Sequence, residues 1–229
     1  MILEKRLDII IDTLNKEKKV SNRYLTEKLG ISESTLRRDL SYLQDQGKIK
    51  RVHGGAILNI ESNENDFIYN EKSHIEEKII ISKKASKLIG NAKFIFIDAG
   101  STCHGLIDYL DQDMEITVVT NGLMHLERLI SKNIPTILLE GMVKPSTRVV
   151  CGEKTLDAIS KYNFDLTFVG ANGYDDRAYY TADINEALVK ERAIVNAARA
   201  YVLADTSKKA VKYFATIAFR KEAELITEE

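Results

Sequence analysis

The sequence has few cysteines and no long hydrophobic run, and each absence excludes a class of protein. Only Cys103 and Cys151 occur, far apart and outside any metal-binding spacing, so neither a disulfide framework nor a zinc site is indicated. No apolar run approaches the length of a membrane span. The acidic start of the chain lacks the basic and apolar regions of a signal peptide. We therefore expect a cytoplasmic protein with no membrane partner, no metal and no cofactor.

Charge of one sign is not in excess over the whole chain, but it is unevenly distributed. The formal net charge is −1, yet residues 1–56 contain 12 Lys and Arg against 8 Asp and Glu, a net charge of +4. The remaining residues carry a net charge of −5. A small basic segment joined to a larger acidic one is typical of a nucleic-acid module carried by another domain. With 229 residues, the chain is long enough for two domains.

Residues 1–58 are expected to form the first domain, which begins with three helices. Apolar residues recur at helical spacing along the first of these. The second begins at the capping residue Ser21 and stops at Gly30, and the third begins at Ser32 and ends at Gly47. Two helices separated by a short turn that contains glycine have the spacing of a helix-turn-helix.

Residues 48–52 alternate in character and residues 56–58 are apolar, which indicates a hairpin, or wing, beside the third helix. The outer face of that helix carries short hydroxyls and arginines, the donors that a helix-turn-helix inserts into the major groove. Lys48 and its wing neighbours would add backbone or minor-groove contacts. The residues expected to contact DNA are Ser32, Ser34, Thr35, Arg37, Arg38, Lys50, Arg51 and His53. A solvated charged face on a small helical domain is the alternative, and the sequence leaves open which arginine meets base and which meets phosphate.

Residues 59–73 are mostly polar and are expected to be a linker, and residues 74–229 to be the second domain. Strand-like runs alternate there with amphipathic stretches, which predicts a mostly parallel sheet covered by helices on both faces, an α/β fold. The expected strands are 94–97, 116–119, 136–139, 166–169 and 201–203, and the expected helices lie near 75–90, 102–110, 122–132, 153–161 and 184–199.

Several of these strands end in polar residues. Residues 98–102, Asp-Ala-Gly-Ser-Thr, join a buried strand to a helix, and such a loop presents backbone N–H groups to a phosphate or another anion. Because the carboxyl ends of parallel strands share one edge, the polar segments near residues 120, 140, 170 and 205 are expected to converge with this loop on a single crevice.

Two motifs in the first domain carry a specific resemblance. The stretch S-x-S-T-L-R-R-D-L at residues 32–40, followed by H-G-G-A at residues 53–56, resembles the N-terminal module of the DeoR family of bacterial sugar-metabolism repressors. The likeness continues into the second domain, which resembles the family's sensor domain, similar in fold to ribose-5-phosphate isomerase and a binder of phosphorylated sugars. The effector-binding residues that this resemblance implies are Asp98, Gly100, Ser101, Thr102, Asn121, Gly170, Asn172, Glu186, Lys190 and Lys208.

By the resemblance, residues 100–102 hold the phosphate with Lys208 as counter-charge, and the others meet sugar hydroxyls or brace the site. A surface i,i+4 pair is an equal alternative for Glu186 and Lys190. Two departures from the family matter: Glu140 replaces the first of two glycines after the third strand, and residues 176–181 lack an expected glycine. His104 is expected to be a hydrogen-bonded packing residue.

The sequence thus predicts a DNA-binding transcriptional regulator, a repressor of a sugar-metabolism operon controlled by a phosphorylated sugar, and not an enzyme. Its partners would be double-stranded operator DNA, the sugar phosphate, and further copies of the chain in a homo-oligomer, a dimer or tetramer. Two alternatives stay open: a sugar-phosphate isomerase-like enzyme fused to a DNA-binding module, and an oligomerisation platform with a vestigial pocket.

Overall fold

The computed structural model describes residues 2–46, 48–58 and 67–229, and the chain divides into two compact units, Met1–Asn65 and Asp66–Glu229. Gly47, the expected end of the third helix, lies outside the described residues, as does the part of the expected linker from 59 to 66. The rest of the expected linker includes a helix, α4 (Phe67–Lys72), because the Phe67 ring packs edge-on against His104 of the second unit. The domain boundaries at 58 and 74 stay predictions.

The first unit is a helix-turn-helix followed by a two-stranded wing. Its elements are α1 (Leu3–Glu17), β1 (Lys19–Ser21), α2 (Asn22–Leu29), α3 (Glu33–Asp45), β2 (Ile49–Val52) and β3 (Gly55–Leu58). The strands form an antiparallel sheet in the order β1-β3-β2. Strand β1 was not expected, because its polar residues belong to a stretch that joins two helices. It forms where β3 offers a free edge to the backbone.

Capping residues set the ends of α2 and α3 as the sequence predicts. The Ser21 hydroxyl accepts a hydrogen bond from the Tyr24 amide, and the Ser32 hydroxyl accepts one from the Thr35 amide. Gly30 ends α2 with φ 64°, in the left-handed region that favours glycine. The apolar faces of the three helices meet the sheet in one core of buried residues: Leu7, Ile10, Ile11, Leu14, Val20, Leu25, Leu29, Leu36, Leu40, Leu43, Ile49 and Ala56.

The second unit is an α/β domain. After α4 come α5 (Ile75–Ser86), β4 (Phe94–Ile97), α6 (Ser101–Leu106), β5 (Thr117–Thr120), α7 (His125–Ser131), β6 (Thr136–Leu138), β7 (Met142–Lys144), β8 (Val149–Cys151), α8 (Glu153–Ile159), β9 (Phe164–Gly170), β10 (Gly173–Tyr174), β11 (Ala178–Thr181), α9 (Ile184–Val195), β12 (Ala197–Leu203), β13 (Ala215–Phe219) and β14 (Glu224–Ile226).

Six of these strands form a parallel sheet in the order β14-β12-β9-β4-β5-β6. The chain enters this sheet at β4 and adds β5 and then β6 on one side of it. It then returns to the other side of β4, where it adds β9. This reversal makes a topological switch point between β4 and β9, the place where open α/β sheets generally form a ligand crevice at the carboxyl ends of the strands. Alternate strand residues feed two cores, with Ile95 and Ile97 on one face and Phe96 on the other. The predicted fold, a winged helix-turn-helix followed by a mostly parallel sheet, is confirmed.

Several details of the second unit differ from the prediction, including β14, which was not expected, and α5, which ends at Ser86 and not near residue 90. The last helix, expected to run to residue 199, ends at Val195, and β12 begins at Ala197 because Ala197 pairs with Phe164 of β9. Pairing with a central strand outweighs the helical preference of the alanines there. Antiparallel strands were also missed: β7 pairs with β8, and β10 and β13 flank β11.

Candidate functional site

Helix α3 presents its polar face to solvent and its leucines to the core. Arg37 and Arg38 are exposed, and 67% of the Arg37 side chain is accessible, with Glu33 nearby at 3.9 Å between Nη2 and Oε2. Ser32 is the N-cap, and its hydroxyl lies 2.9 Å from the hydroxyls of both Ser34 and Thr35. The first two turns of α3 therefore offer a cluster of hydroxyls next to two exposed guanidinium groups.

A buried ion pair fixes the opposite face of α3. The Arg6 guanidinium of α1 donates from Nε to Asp39 Oδ2 at 2.7 Å and from Nη2 to Oδ1 at 3.0 Å. Asp39 is 2% exposed, so the pair is shielded from water on the side of the carboxylate. The pair holds Asp39 on the inner face of α3. Because Arg38 is the preceding residue of the same helix, this fixes the side of the helix on which Arg38 is exposed.

The wing is attached to α3 through Arg51. Its Nη1 donates to Ser41 Oγ at 2.9 Å, and its backbone amide donates to Gln44 Oε1 at 3.1 Å. Lys50 and His53 are exposed, as a contact with DNA requires. Lys48 is only 6% exposed, which does not favour the DNA contact expected of it, because it precedes β2 where the chain turns back against α3.

A second group of polar residues lies at the switch point of the large sheet. Asp98, directly after β4, accepts hydrogen bonds through Oδ2 from the Gly170 amide at 3.0 Å and from Lys190 Nζ at 2.8 Å. Lys190 Nζ also donates to the Gly170 carbonyl at 2.9 Å. Burial opposes the charge of Lys190, but the carboxylates of Asp98 and Glu186 outweigh it and raise its pKa. Hydrogen bonds thus connect the Asp98 carboxylate, the Lys190 ammonium of α9 and the end of β9 at Gly170.

Two polar atoms at this place have no hydrogen-bond partner among the residues that the structure describes. Asn121 Oδ1 accepts from the Ala99 amide at 3.0 Å, but the Asn121 Nδ2 donor is buried without an acceptor. Asp98 Oδ1 is likewise a buried acceptor without a donor. Both side chains are fully buried, and an unsatisfied buried polar atom is costly. A ligand hydroxyl both donates and accepts, so it would satisfy an acceptor and a donor of this kind.

The loop after β4 packs closely on the end of β9. Gly100 is the N-cap of α6, and a Cβ atom built on it would lie 3.6 Å from Gly170 Cα. Ser101 is partly exposed and Thr102 is buried. The structure therefore brings Asp98, residues 100–102, Asn121, Gly170 and Lys190 to one edge of the sheet, as the order of the strands requires.

Glu186 belongs to the same neighbourhood and is not on the surface. It is 9% exposed and Lys190 is 6% exposed, so the alternative of a surface pair between them is wrong. Glu186 Oε1 accepts from Thr147 Oγ1 at 3.0 Å and lies 3.8 Å from Lys144 Nζ. Lys144 ends β7 and Thr147 lies in the turn between β7 and β8, and sequence reasoning missed both. The polar, proline-containing residues 144–148 between two apolar runs were the available signal for a hairpin.

Asn172 and Lys208 are placed differently from the central group. Asn172 Oδ1 accepts from Thr181 Oγ1 at 2.6 Å, which ties the end of β9 to β11. Lys208 lies in a 3₁₀ turn (Thr206–Lys208) after β12. Although burial opposes ionisation of Asp205, the charge of Lys208 and the Ser207 hydroxyl lower the pKa of that carboxyl.

Two stacked histidines lie behind the loop. The rings of His104 and His125 are 5.2 Å apart, and His125 Nδ1 is 2.9 Å from Thr120 Oγ1. Burial lowers the pKa of His104 to about 4 and that of His125 to about 3, and neighbouring positive charge acts in the same direction. Both rings are therefore neutral at pH 7. His104 packs against Phe67 and His125, as predicted, but the expected hydrogen bond is not confirmed, because its Nδ1 is buried without a partner among the described residues.

The two departures from the expected family pattern have local explanations. Glu140 follows β6 and is exposed, and next to it Gly141 has φ 150° with no room for a Cβ, because Thr155 Oγ1 occupies that space. In the turn between β10 and β11, Asp175 Oδ1 accepts from the amides of Arg177 and Ala178. That side chain closes the turn, which is why no glycine is needed there.

An open groove of about 410 Å³ lies elsewhere, beside the first half of β12. Arg199, Arg220 and Lys221 line it together with Glu222 and Glu224. Its lining thus mixes cationic with acidic side chains, and none of the predicted effector residues belongs to it. Within the described ranges, no group of three or more His, Cys, Asp or Glu side chains is arranged to hold a metal ion. No helix in those ranges is both long enough and apolar enough to span a membrane.

Comparison with known proteins matches both units. Residues 6–62 match the family described as DeoR-like helix-turn-helix domain, and residues 73–229 match DeoR C terminal sensor domain. The chain is 40% identical to "Uncharacterized HTH-type transcriptional regulator FruR" of Bacillus subtilis (strain 168), covering 99% of this chain and 91% of that protein.

Two further relatives carry more specific names. The chain is 33% identical to the lactose phosphotransferase system repressor of Staphylococcus epidermidis, over 89% of this chain and 82% of the relative. It is 32% identical to the glycerol-3-phosphate regulon repressor of Escherichia coli (strain K12), over 87% and 80%.

Solved structures show likeness at the level of the fold. One is eIF2B delta from Chaetomium thermophilum, with TM-score 0.51 and 13% identity over 71% of this chain and 59% of that one. Another is ribose 5-phosphate isomerase A from Methanocaldococcus jannaschii, with TM-score 0.45 and 18% identity over 60% and 56%.

Proposed function

The chain belongs to the DeoR family of transcriptional regulators, and on that premise we propose that it represses a sugar-metabolism operon under control of a phosphorylated sugar. One observation carries the proposal. In a unit joined to a DNA-binding module, Asp98 Oδ1 and Asn121 Nδ2 are a buried acceptor and a buried donor that no described residue satisfies. The repressor names of the relatives that resemble it support the same direction of control.

The DNA side of the proposal rests on the first unit. Helix α3 enters the major groove, where Arg37 and Arg38 contact bases or phosphates and the hydroxyls of Ser32, Ser34 and Thr35 contact the adjoining backbone. Lys50, Arg51 and His53 bring the wing onto the flanking duplex. Two half-sites about one turn of DNA apart, or a multiple of it, require a homo-oligomer of at least two copies.

The effector side rests on the crevice at the switch point. Asp98 Oδ1 accepts from, and Asn121 Nδ2 donates to, a sugar hydroxyl, so that binding removes two unsatisfied atoms. The phosphate lies at the amides of residues 100–102, with Lys208 as counter-charge. Gly170, Asn172, Glu186 and Lys190 hold the walls of the crevice in place. The sugar acts by binding more tightly to one arrangement of the DNA-binding modules than to another.

We propose a sensor rather than an enzyme for the second unit. An isomerase needs a carboxylate free to take a proton from carbon. Asp98 Oδ2 accepts from Gly170 and Lys190, which leaves only Oδ1 for a substrate, and in this proposal Oδ1 accepts from a sugar hydroxyl. Glu186 accepts from Thr147, and the raised pKa of Lys190 keeps it protonated at neutral pH. Turnover of ribose 5-phosphate by the purified chain, lost in Glu186→Gln, would instead support an isomerase-like enzyme fused to a DNA-binding module.

The test is an operator titration. Duplex DNA selected by the full-length chain from a random library is labelled, and its affinity is measured by fluorescence anisotropy. The probes are ribose 5-phosphate, glucose 6-phosphate, fructose 1-phosphate, glycerol 3-phosphate and inorganic phosphate. We expect at least one sugar phosphate to change the operator Kd by about tenfold, with inorganic phosphate much weaker. Lys208→Ala should lose most of this response, and the exposed neighbour variant Lys209→Ala should keep it.

A thermal-shift experiment with the same probes separates this proposal from a vestigial pocket. A specific ligand at a hundred times its Kd adds about 2.7 kcal/mol to the free energy of unfolding, which raises Tm by several degrees. If every probe leaves both Tm and operator affinity unchanged, the second unit acts as an oligomerisation platform and the effector proposal is wrong.

A further inference from the structure

Helix α4 occupies a special position in the chain, because it is the first described element after residues 59–66 and so connects the second unit to the DNA-binding unit. Its contacts within the second unit are specific. The Phe67 ring packs edge-on against the His104 ring of α6, with 5.5 Å between the ring centroids. Glu71 Oε1 lies 3.6 Å from His104 Nε2 and 3.4 Å from Arg128 Nη2. Lys78 Nζ of α5 donates to the carbonyl of Asn70.

The first turn of α4 is also held by the turn between β7 and β8, residues 145–148, which we call the hairpin tip. The Phe67 amide donates to the Ser146 carbonyl at 3.2 Å. The next residue of the tip, Thr147, donates from Oγ1 to Glu186 Oε1 at 3.0 Å. Consecutive residues of one short turn therefore contact the start of α4 and a buried carboxylate beside the crevice.

Backbone hydrogen bonds tie the hairpin tip to the other wall of the crevice. The Leu123 amide donates to the Arg148 carbonyl at 3.1 Å, and the Val150 amide donates to the Asn121 carbonyl at 2.7 Å. Asn121 is the residue whose buried Nδ2 lacks a partner. At the base of the hairpin, Lys144 Nζ lies 2.7 Å from Asp183 Oδ2, the N-cap of α9.

Helix α4 thus contacts two elements that border the crevice, α6 through His104 and the hairpin through Ser146. A ligand that draws Asn121 or Glu186 inward displaces the hairpin tip, since both residues are bonded to it or to the strand that follows it. Moving the Ser146 carbonyl breaks or remakes the bond to the first amide of α4. In sequence, α4 directly follows the segment that leads from the DNA-binding unit. The Ser146–Phe67 hydrogen bond therefore joins the hairpin to the residue at which the second unit begins its described structure.

We propose that the hairpin tip transmits occupancy of the effector crevice to α4, with Thr147 as the positioning residue that couples Glu186 to the Ser146–Phe67 hydrogen bond. The transmission of a signal rests on the proposed function, but the mechanical link between Thr147 and α4 does not. The two parts are therefore tested separately.

The mechanical link is tested without ligand by amide hydrogen exchange of the full-length chain. Thr147→Val removes the hydroxyl and keeps the shape of the side chain. We expect the amides of residues 67–73 to exchange about fivefold faster, as the loss of one ordinary hydrogen bond implies. The matched control is Thr136→Val, which removes a hydroxyl that donates to the Ile134 carbonyl at the start of β6. If α4 exchanges at the wild-type rate in Thr147→Val, the proposal is wrong.

The signal is tested with the probe that changes operator affinity in the wild-type chain, at a concentration that saturates the variant by thermal shift. We expect Thr147→Val to bind operator normally without probe and to change its Kd less than twofold with it, against about tenfold for the wild type. A full response in Thr147→Val overturns the proposal. If no probe affects the wild-type chain, the proposed function has failed and hydrogen exchange alone decides the link.

A second variant protects the test against misfolding. If Thr147→Val lowers Tm by more than the control does, Glu71→Gln replaces it, since this change removes the charge facing His104 and Arg128 and leaves the hairpin intact. We expect the same faster exchange in residues 67–73 and the same loss of response. Wild-type exchange in Glu71→Gln would count equally against α4 as the receiving element.

Discussion

The Arg6 guanidinium of α1 and the Asp39 carboxylate of α3 form a two-bond ion pair, 2.7 Å and 3.0 Å long, on the inner side of the helix that carries Arg37 and Arg38. Because Asp39 is 2% exposed, the pair depends on the fold of the first unit and in turn fixes the orientation of its outer arginines. Stability and the proposed DNA contact are therefore joined in one helix.

Replacing Asp39 with asparagine should weaken both properties. Arg6 loses its counter-charge, and the buried position of residue 39 loses an ionic hydrogen-bond acceptor, so the free energy of unfolding falls. The expected result in urea denaturation is a lower midpoint, with operator affinity reduced at temperatures where the unit stays folded. Glu27→Gln is the control, since it breaks the exposed Arg23–Glu27 pair, which is worth about 0.5 kcal/mol. Equal stabilities in the two variants would contradict a structural role for Arg6–Asp39.

Replacing Arg37 or Arg38 with alanine should weaken operator binding without unfolding the chain. Each lost contact to a base or phosphate costs about 1 to 3 kcal/mol, or up to roughly a hundredfold in Kd. Anisotropy titration at two salt concentrations also separates the roles, because losing a phosphate contact reduces the salt dependence while losing a base contact relaxes sequence preference. Arg199→Ala, an exposed arginine of the second unit, is the control. Wild-type affinity in both α3 variants would refute our assignment of the recognition helix.

Replacing Lys190 with methionine should destabilise the second unit. Asp98 would keep its bond from the Gly170 amide but would lose its cation, which costs about 3 to 5 kcal/mol for a buried pair. The double variant Asp98→Asn with Lys190→Met should recover part of that loss, since no unpaired charge remains. Lys93→Met, at the exposed pair with Glu115, should change stability little. A single variant as stable as the wild type would show that the pair is not needed for folding.

The stability of the chain should fall in mild acid because of the two buried histidines. An unfolded histidine has a pKa near 6.5, whereas His104 has about 4 and His125 about 3 in the fold. At pH values between the folded and the unfolded pKa, the unfolded state binds more protons than the folded state. The contribution of the two neutral histidines to the free energy of unfolding is therefore fully present above about pH 6.5 and declines as the pH falls toward 4. Each unit of difference corresponds to about 1.4 kcal/mol, giving a total of several kcal/mol.

Urea denaturation from pH 7.5 to pH 4.5 measures this decline. His104→Gln should flatten it, and His53→Gln, an exposed residue of the wing, should leave it as steep as in the wild type. Identical slopes in all three proteins would mean that the stacked pair does not control acid stability.

The elements that could be predicted from the sequence are those marked by local signals, such as helix caps and short apolar runs. Ser21, Gly30 and Ser32 mark the ends of α2 and α3 because a cap and a left-handed glycine act within one turn of chain. Five strands of the parallel sheet were found because each is a short apolar run between helices. The end of α9 was misplaced because β12 begins at Ala197 only through its pairing with Phe164, a residue far away in the sequence.

The candidate site divides in the same way. The Asp98 loop, Asn121 and Gly170 could be identified from sequence because each follows a strand, and parallel strands end at a common edge. The roles of Thr147 and Lys144 could not, since they depend on a hairpin that folds back toward α9. The choice between a surface pair and a buried one for Glu186 and Lys190 also needed the packing of α9 on the sheet.

By itself, the sequence determined the helix-turn-helix, the polar residues that follow successive strands, and the family. Capping, periodicity and short motifs act over a few residues, so they can be recognised without the tertiary structure. The tertiary structure alone decided which side chains meet: Arg6 with Asp39, Asp98 with Lys190, and Ser146 with Phe67. Such contacts join residues more than thirty positions apart, and their geometry follows from how helices and strands pack, which no local pattern encodes.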